Sequence, residues 1–100
     1  MAIKVTIGSR EFKTKKEANE YYSSMLLRYS WKEDVTGEDL KDLLELVHEH
    51  PNHKGKIGPG ILRIYKDRTE HGQGCFWAER TDGTKDNFSF KKCIDAAAQP

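Results

Sequence analysis

The sequence predicts a single α+β domain whose helices pack on one face of a small antiparallel sheet, in the order β(β)ααβββα. A length of 100 residues suits one hydrophobic core and therefore one domain, residues 1–100. Two segments with helical spacing precede a run of strand-like segments, and a third helical segment ends the chain. Helices that are separated from a run of strands along the chain are typical of this fold class.

The chain is expected to begin with a strand and a tight turn. Ile3, Val5 and Ile7 alternate with polar residues, which is the period of a half-buried strand. The Gly-Ser pair at 8–9 indicates a turn, and residues 10–12 are suited to a short returning strand.

Two helices should follow, each with a recognisable start. Thr14 and Glu17 have the spacing of a capping box, and this helix should fray near residues 30–31. Thr36 opens the second helix, which should stop at His50 because Pro51 disfavours helical backbone before it. The buried faces are predicted to be Ala18, Tyr21, Tyr22, Met25, Leu26 and Tyr29 in the first helix, and Leu40, Leu43, Leu44 and Val47 in the second.

The second half of the chain should form a three-stranded meander and a final helix. Three glycines and a proline within residues 55–60 predict a stretch without regular structure. Strands are expected at 61–65, 75–80 and 85–88, with a two-residue hairpin turn of the primed type at Asp82-Gly83. Ser89 is placed to cap a short amphipathic helix.

Composition restricts the possible partners. The net charge of +1 does not indicate a polyanion ligand, so any nucleic-acid surface must be a local patch. Cys75 and Cys93 are expected to be free thiols, since nothing indicates a secreted disulfide scaffold. No apolar run is long enough for a membrane span, and the first residues lack a signal-peptide pattern. We therefore expect a cytoplasmic protein without a membrane partner.

The histidines do not form a recognisable metal site. His48 and His50 would point about 200° apart on a helix, unlike the i, i+4 spacing of helical zinc ligands. We predict no metal, no cofactor and no catalytic residues. A small hydrolase or nuclease remains an alternative, and it requires His50, His53 and Asp86 to converge in one pocket.

The glycine-rich segment is the first candidate for ligand contact. Lys54 and Lys56 flank glycines, including Gly58 and Gly60, that allow a backbone to approach a phosphate closely. The alternative is a structural crossover from helix to sheet, in which glycines stand where side chains would clash.

The predicted sheet supplies the second candidate. If Phe76 and Leu62 point to the helices, then Arg63, Tyr65 and Trp77 share the opposite face. Rings interleaved with arginine on an open sheet can stack bases, and Arg80 would add a phosphate contact. The alternative is that Trp77 and Tyr65 close a minor core, since large aromatic residues usually pack.

Several short motifs in this order are similar to the DCL (defective chloroplasts and leaves) family. They are Phe12-x-x-Lys15-x-x-Ala18, His50-Pro51, Lys56-Ile57-Gly58-x-Gly60, Cys75-Phe76, Arg80-x-Asp82-Gly83 and Asp86-x-Phe88-Ser89-x-x-x-Cys93. The resemblance covers nearly the whole chain and implies a small DCL-like domain found in plants, bacteria and phages. It further implies an association with ribosomal RNA maturation, which is the role of the plant members.

These observations lead to one expected function and one main alternative. We expect a non-catalytic RNA-binding or ribonucleoprotein-associated module. The expected contacts are Lys54, Lys56, Gly58, Gly60, Arg63, Tyr65, Trp77 and Arg80. The alternative is a protein-interaction domain that docks a partner through the aromatic sheet face.

Overall fold

The computed structural model describes residues 4–99 and has the predicted α+β architecture. Its elements are β1 (Lys4–Ile7), β2 (Arg10–Phe12), α1 (Lys15–Leu27), α2 (Gly37–Val47), α3 (His53–Ile57), β3 (Ile61–Arg68), β4 (Gly74–Arg80), β5 (Lys85–Phe88), α4 (Phe90–Ala97) and β6 (Ala98–Gln99). The predicted order is therefore confirmed, with a short helix α3 and a two-residue strand β6 added to it. Ile3, predicted to start the first strand, lies outside the described residues.

The strands form two antiparallel sheets rather than one. The first has the order β2-β1-β6 and the second the order β3-β4-β5. In the second sheet Tyr65 pairs with Trp77, and Ile64 pairs with Ala78. Because directly paired residues share a face, this register separates a core face with Ile64 and Ala78 from an outer face with Tyr65 and Trp77.

Both sheets and the helices contribute to one hydrophobic core. The periodic positions predicted from the sequence supply most of it, because each element turns one apolar face inward. Its members include Val5, Ile7, Ala18, Tyr22, Met25, Leu43, Leu46, Val47, Ile64, Phe76, Ala78, Phe88, Cys93 and Ile94. This core fixes the positions of β3 and β4, which carry four of the eight candidate binding residues.

The start of α1 follows the predicted cap, whereas its end comes earlier than expected. The Thr14 hydroxyl accepts a hydrogen bond of 3.1 Å from the backbone amide of Glu17. The Glu17 carboxylate accepts from the backbone amide of Lys13, one residue before the cap. The helix ends at Leu27, so the segment that contains Trp31 is an irregular connection to α2.

The connection between α1 and α2 runs beside the free edge of β3. Val35 N donates to Ile64 O at 2.8 Å, and Lys66 N donates to Glu33 O at 3.2 Å. These bonds satisfy backbone groups at the edge of β3 and help to explain why the strand continues to Arg68, three residues beyond its predicted end. The predicted polar loop at 66–74 is correspondingly shorter.

Two local predictions were wrong. Leu62 does not point to the helices but is 63% exposed, because an irregularity between Ile61 and Arg63 interrupts the alternation of β3. The β4–β5 hairpin does not have a two-residue primed turn. Arg80 N donates to Thr84 O across a three-residue loop, and Gly83 alone of that loop has positive φ, at 88°. The loop is thus a turn followed by a glycine in the left-handed region, a hairpin type that is next in frequency to the two-residue primed turns.

Candidate functional site

The glycine-rich segment forms α3, which is fixed to the sheet through Lys56. The Lys56 Nζ atom lies 2.9 Å from Asp86 Oδ2 and donates to the backbone oxygen of Asn87 at 2.8 Å. Its side chain is only 17% exposed. Lys56 thus joins α3 to β5 and has little capacity left to bind a phosphate.

Arg80 holds the same short helix from the end of β4. Its Nη1 atom donates to the carbonyl oxygens of Gly55 and Lys56, at 3.3 and 3.0 Å. A Cβ atom on Gly58 would come within 2.9 Å of Arg80 Cδ, and Gly58 also has a φ of +56°. The positive φ favours glycine at 58, and the close approach of Arg80 adds to this preference, which supports the structural-crossover alternative for this segment.

The outer face of the β3–β4–β5 sheet holds Arg63, Tyr65 and Trp77, as predicted. Arg63 is engaged there by two carboxylates, with Nε 2.7 Å from Glu79 and Nη1 2.6 Å from Asp34. These bonds raise the pKa of Arg63. Its guanidinium also covers the Tyr65 ring at 4.4 Å from the centroid.

The two rings on this face are not open stacking platforms. Tyr65 is 5% exposed, and burial raises its pKa. Trp77 is half-buried. A base would have to displace Arg63 from Tyr65 to stack on it, so the geometry favours the minor-core alternative for these rings.

The eight residues expected to bind nucleic acid are divided between two sides of the sheet. Asp86, the partner of Lys56, pairs with the buried Ala78 and thus belongs to the core face. Arg63 belongs to the outer face with Glu79. Lys54 is exposed, whereas Gly60 is half-buried and its carbonyl oxygen accepts from Thr81 N where β3 begins. Binding by these residues stays a prediction, but they do not merge into one surface.

The histidines and cysteines are placed as structural groups. His50 is 8% exposed, and its Nδ1 atom accepts from the backbone amide of Asn52 at 2.9 Å. Burial, with Lys56 nearby, lowers the pKa of His50. Burial raises the pKa of Cys75 and brings that of Cys93 to about 12, so both thiols stay protonated at neutral pH.

The hydrolase alternative gains little from this arrangement. His50 already uses a ring nitrogen for the backbone, and Asp86 is bound to Lys56. Within residues 4–99 no three His, Cys, Asp or Glu side chains are grouped closely enough to hold a metal ion. Over the same part of the chain, none of the helices has the length and apolar character needed to cross a membrane.

A cationic aromatic surface that sequence analysis missed lies at the far end of β3. We call Trp31, Lys32, Lys66 and Arg68 the Trp31 surface. Trp31 is 45% exposed, with Lys66 Nζ 4.8 Å and Arg68 Cζ 4.5 Å from the ring centroid. The ring also lies 3.5 Å from where a Cβ atom on Gly74 would be.

Hydrogen bonds between β3 and the connection from α1 to α2 hold the Trp31 surface together. Lys66 Nζ donates to Tyr29 O at 3.0 Å, and Lys32 N donates to Lys66 O. The carboxylate of Glu33 accepts from the backbone amide of Ser30 at 2.8 Å instead of pairing with a lysine. An exposed indole beside two cations suits a ligand that carries both negative charge and flat rings.

Comparison with known proteins assigns the chain to a family. A family model described as "Protein of unknown function (DUF3223)" matches residues 23–94. The chain belongs to this family. The matched region begins in α1 and ends in α4, so it contains both the α3 attachment and the Trp31 surface.

Two curated relatives come from Arabidopsis thaliana. The chain is 37% identical over 68 residues to "DNA-directed RNA polymerase IV subunit 1", covering 66% of this chain and 5% of that protein. It is 34% identical over 94 residues to "Protein EMBRYO DEFECTIVE 514", covering 91% of this chain and 46% of that protein. The chain therefore spans less than half the length of either relative.

The fold is also similar to a solved structure. The solution NMR structure of an uncharacterized protein from Rhodospirillum rubrum is 36% identical and superimposes with a TM-score of 0.84. The match covers 94% of this chain and 90% of that protein.

Proposed function

We propose that this chain is a non-catalytic RNA-binding or ribonucleoprotein-associated module that contacts RNA through the Trp31 surface. The observation that carries the proposal is the half-exposed Trp31 ring with Lys66 and Arg68 against it. Phosphates would meet Lys32, Lys66 and Arg68. An unpaired base would displace the exposed Arg68 side chain and pack on the indole, because Arg68, unlike Arg63 over Tyr65, is held by no carboxylate among the described residues. Such sites combine charge with stacking and are tolerant of sequence.

Two lines of similarity support this proposal. One relative is named as a subunit of a DNA-directed RNA polymerase, an enzyme whose product is RNA. The resemblance to the DCL family implies a role in ribosomal RNA maturation, which we extend to this chain as part of the proposal. Both lines of similarity suit a protein that acts through a binding surface, here the Trp31 surface, rather than through a reactive side chain.

Replacing Trp31 by alanine should weaken RNA binding about tenfold at low salt, because stacking on an aromatic side chain contributes roughly 1–3 kcal/mol per base.

Arg68→Ala should weaken RNA binding and also reduce the salt dependence of the affinity, since one phosphate contact is lost. Fluorescence anisotropy of a labelled single-stranded RNA, titrated at several salt concentrations, measures both effects.

A matched control and a direct optical signal complete this test. Lys16→Ala removes an exposed lysine of α1 outside the Trp31 surface and should leave the affinity unchanged. The chain has two tryptophans, so Trp77→Phe leaves Trp31 as the remaining indole, and RNA should quench its fluorescence. Wild-type protein that binds no RNA at low salt would refute the proposal.

Docking to a protein is the second candidate function. The relatives are longer than this chain, and Leu27 and Leu62 are 76% and 63% exposed. Exposed apolar side chains of this kind suit a protein partner. The same titration separates the two functions, because a docking module would show no salt-dependent affinity for RNA.

A further inference from the structure

A cleft lies directly beside the Trp31 surface, between α1, the β3–β4 loop and the start of α4. It has a volume of about 470 Å³, within the range of small-molecule sites. Gly74 lines this cleft, and a Cβ atom on Gly74 would lie 3.5 Å from the Trp31 ring, so the cleft and the Trp31 surface are adjacent. We call it the α1–α4 cleft.

The lining of the α1–α4 cleft combines an apolar floor with polar groups. Leu26, Phe90 and Cys75 are half-buried and supply apolar surface. Gln73 is exposed and brings a side-chain amide, which carries both donors and an acceptor. This amide makes no hydrogen bond within the described residues, so it is free to bind a ligand's edge.

The charge around the cleft favours an anionic ligand. Lys91 is exposed at its rim, and the described residues that line the cleft include no carboxylate. Lys91 stands in the first turn of α4, where a cation is disfavoured by the helix dipole. A phosphate beside Lys91 would offset that unfavourable placement.

We propose that the α1–α4 cleft holds one unpaired nucleobase of a single-stranded RNA whose phosphates lie on Lys91 and on the Trp31 surface. This inference rests on the proposed function and deepens it. The base would lie on Leu26 and Phe90, with its polar edge against the amide of Gln73. Duplex RNA presents no free base, so the module would discriminate against it.

Filling the cleft is the direct test. Ser23 lines the cleft from the exposed side of α1, and Ser23→Phe would occupy the space of a base. We expect this variant to bind a short single-stranded RNA of mixed sequence about tenfold more weakly than wild type, the loss of one base contact. Ser24→Phe is the matched control, since Ser24 is exposed on the same helix and does not line the cleft. Equal binding by Ser23→Phe and Ser24→Phe would overturn the inference while leaving RNA binding intact.

A second variant and two further probes keep the test decisive. Gln73→Ala removes an exposed amide on which no described contact depends, and it should weaken binding about threefold, as for one lost hydrogen bond. The same RNA annealed into a duplex should bind wild type more weakly than the single strand, and equal affinity would count against the cleft. Titration with a free nucleoside monophosphate tests whether the base in the cleft comes from an RNA strand or from a free nucleotide. If it bound the cleft as tightly as the RNA, a free nucleotide rather than an RNA strand would be the ligand.

Discussion

Asp42→Ala should lower the free energy of unfolding by about 3 kcal/mol, because it removes the acceptor of a buried polar cluster. Asp42 is 6% exposed on the inner side of α2. Its carboxylate accepts from the Tyr21 hydroxyl and lies 3.3 Å from Arg10 Nη2. The Arg10 guanidinium in turn lies 4.5 Å from the Tyr21 ring centroid.

The size of this effect follows from what remains after the substitution. The hydroxyl of Tyr21 would lose its partner, and Arg10 would keep a partly buried charge without a carboxylate. Burial and the bond to Asp42 raise the pKa of Tyr21 to about 12, so it remains a donor over the whole neutral range. The cluster joins β2, α1 and α2, and its loss should affect global stability.

Urea unfolding followed by far-ultraviolet circular dichroism measures the effect of Asp42→Ala. The control is Lys41→Ala, an exposed neighbour in α2 that should change stability by no more than about 0.5 kcal/mol. Asp42→Asn keeps an acceptor for Tyr21 and should fall between wild type and Asp42→Ala. Equal stability of the alanine variants at 41 and 42 would show that the cluster contributes nothing.

Lys56→Met should lower the free energy of unfolding by about 2 kcal/mol, because it detaches α3 from β5. Methionine keeps most of the apolar stem but loses the bonds to Asp86 and to the Asn87 carbonyl. Lys54→Met is the matched control, since Lys54 belongs to the same short helix and is exposed. We expect the control to stay within about 0.5 kcal/mol of wild type.

This pair of variants also tests the role of the glycine-rich segment. If Lys56 serves only to attach α3 to β5, the Lys56→Met variant should be less stable than wild type. Under conditions in which both proteins are folded, it should bind RNA with the same affinity as wild type. Equal stability of the two methionine variants, together with a specific loss of RNA binding in Lys56→Met, would instead place the ligand at α3. Chemical unfolding and RNA anisotropy on the same samples separate these results.

The sequence predicted the periodic elements well and the short contact-dependent elements poorly. Thr14 and the spacing of α1 were sufficient to place that helix, because the signal is local. Helix α3 was missed because glycine at 55 disfavours helix, and its support comes from Lys56 and the distant Arg80. Strand β6 pairs with β1 over two residues, too few to leave a pattern.

The candidate site was predicted only in part, for a related reason. The register that puts Arg63, Tyr65 and Trp77 on one face follows from alternation, which the sequence displays. One of the two ion pairs of Arg63 depends on Asp34, which comes from another part of the chain. The Trp31 surface combines the connection between α1 and α2 with the end of β3. Only tertiary pairing brings these two segments together. The one available signal was the basic pair Lys66 and Arg68 at alternate positions after a strand.

The most direct test of the central claim is a map of amide and indole chemical shifts in ¹⁵N-labelled protein titrated with single-stranded RNA. We predict that the largest changes fall on Trp31, including its indole N–H, and on Lys66, Arg68 and Gly74. The indole signal of Trp77 should stay nearly unchanged, because Trp77 lies on the outer face of the sheet. Lys66 and Arg68 pair with Phe76 and Gly74 and therefore lie on the opposite face. Changes centred on Lys54, Arg63 and Trp77, with Trp31 unaffected, would contradict the account.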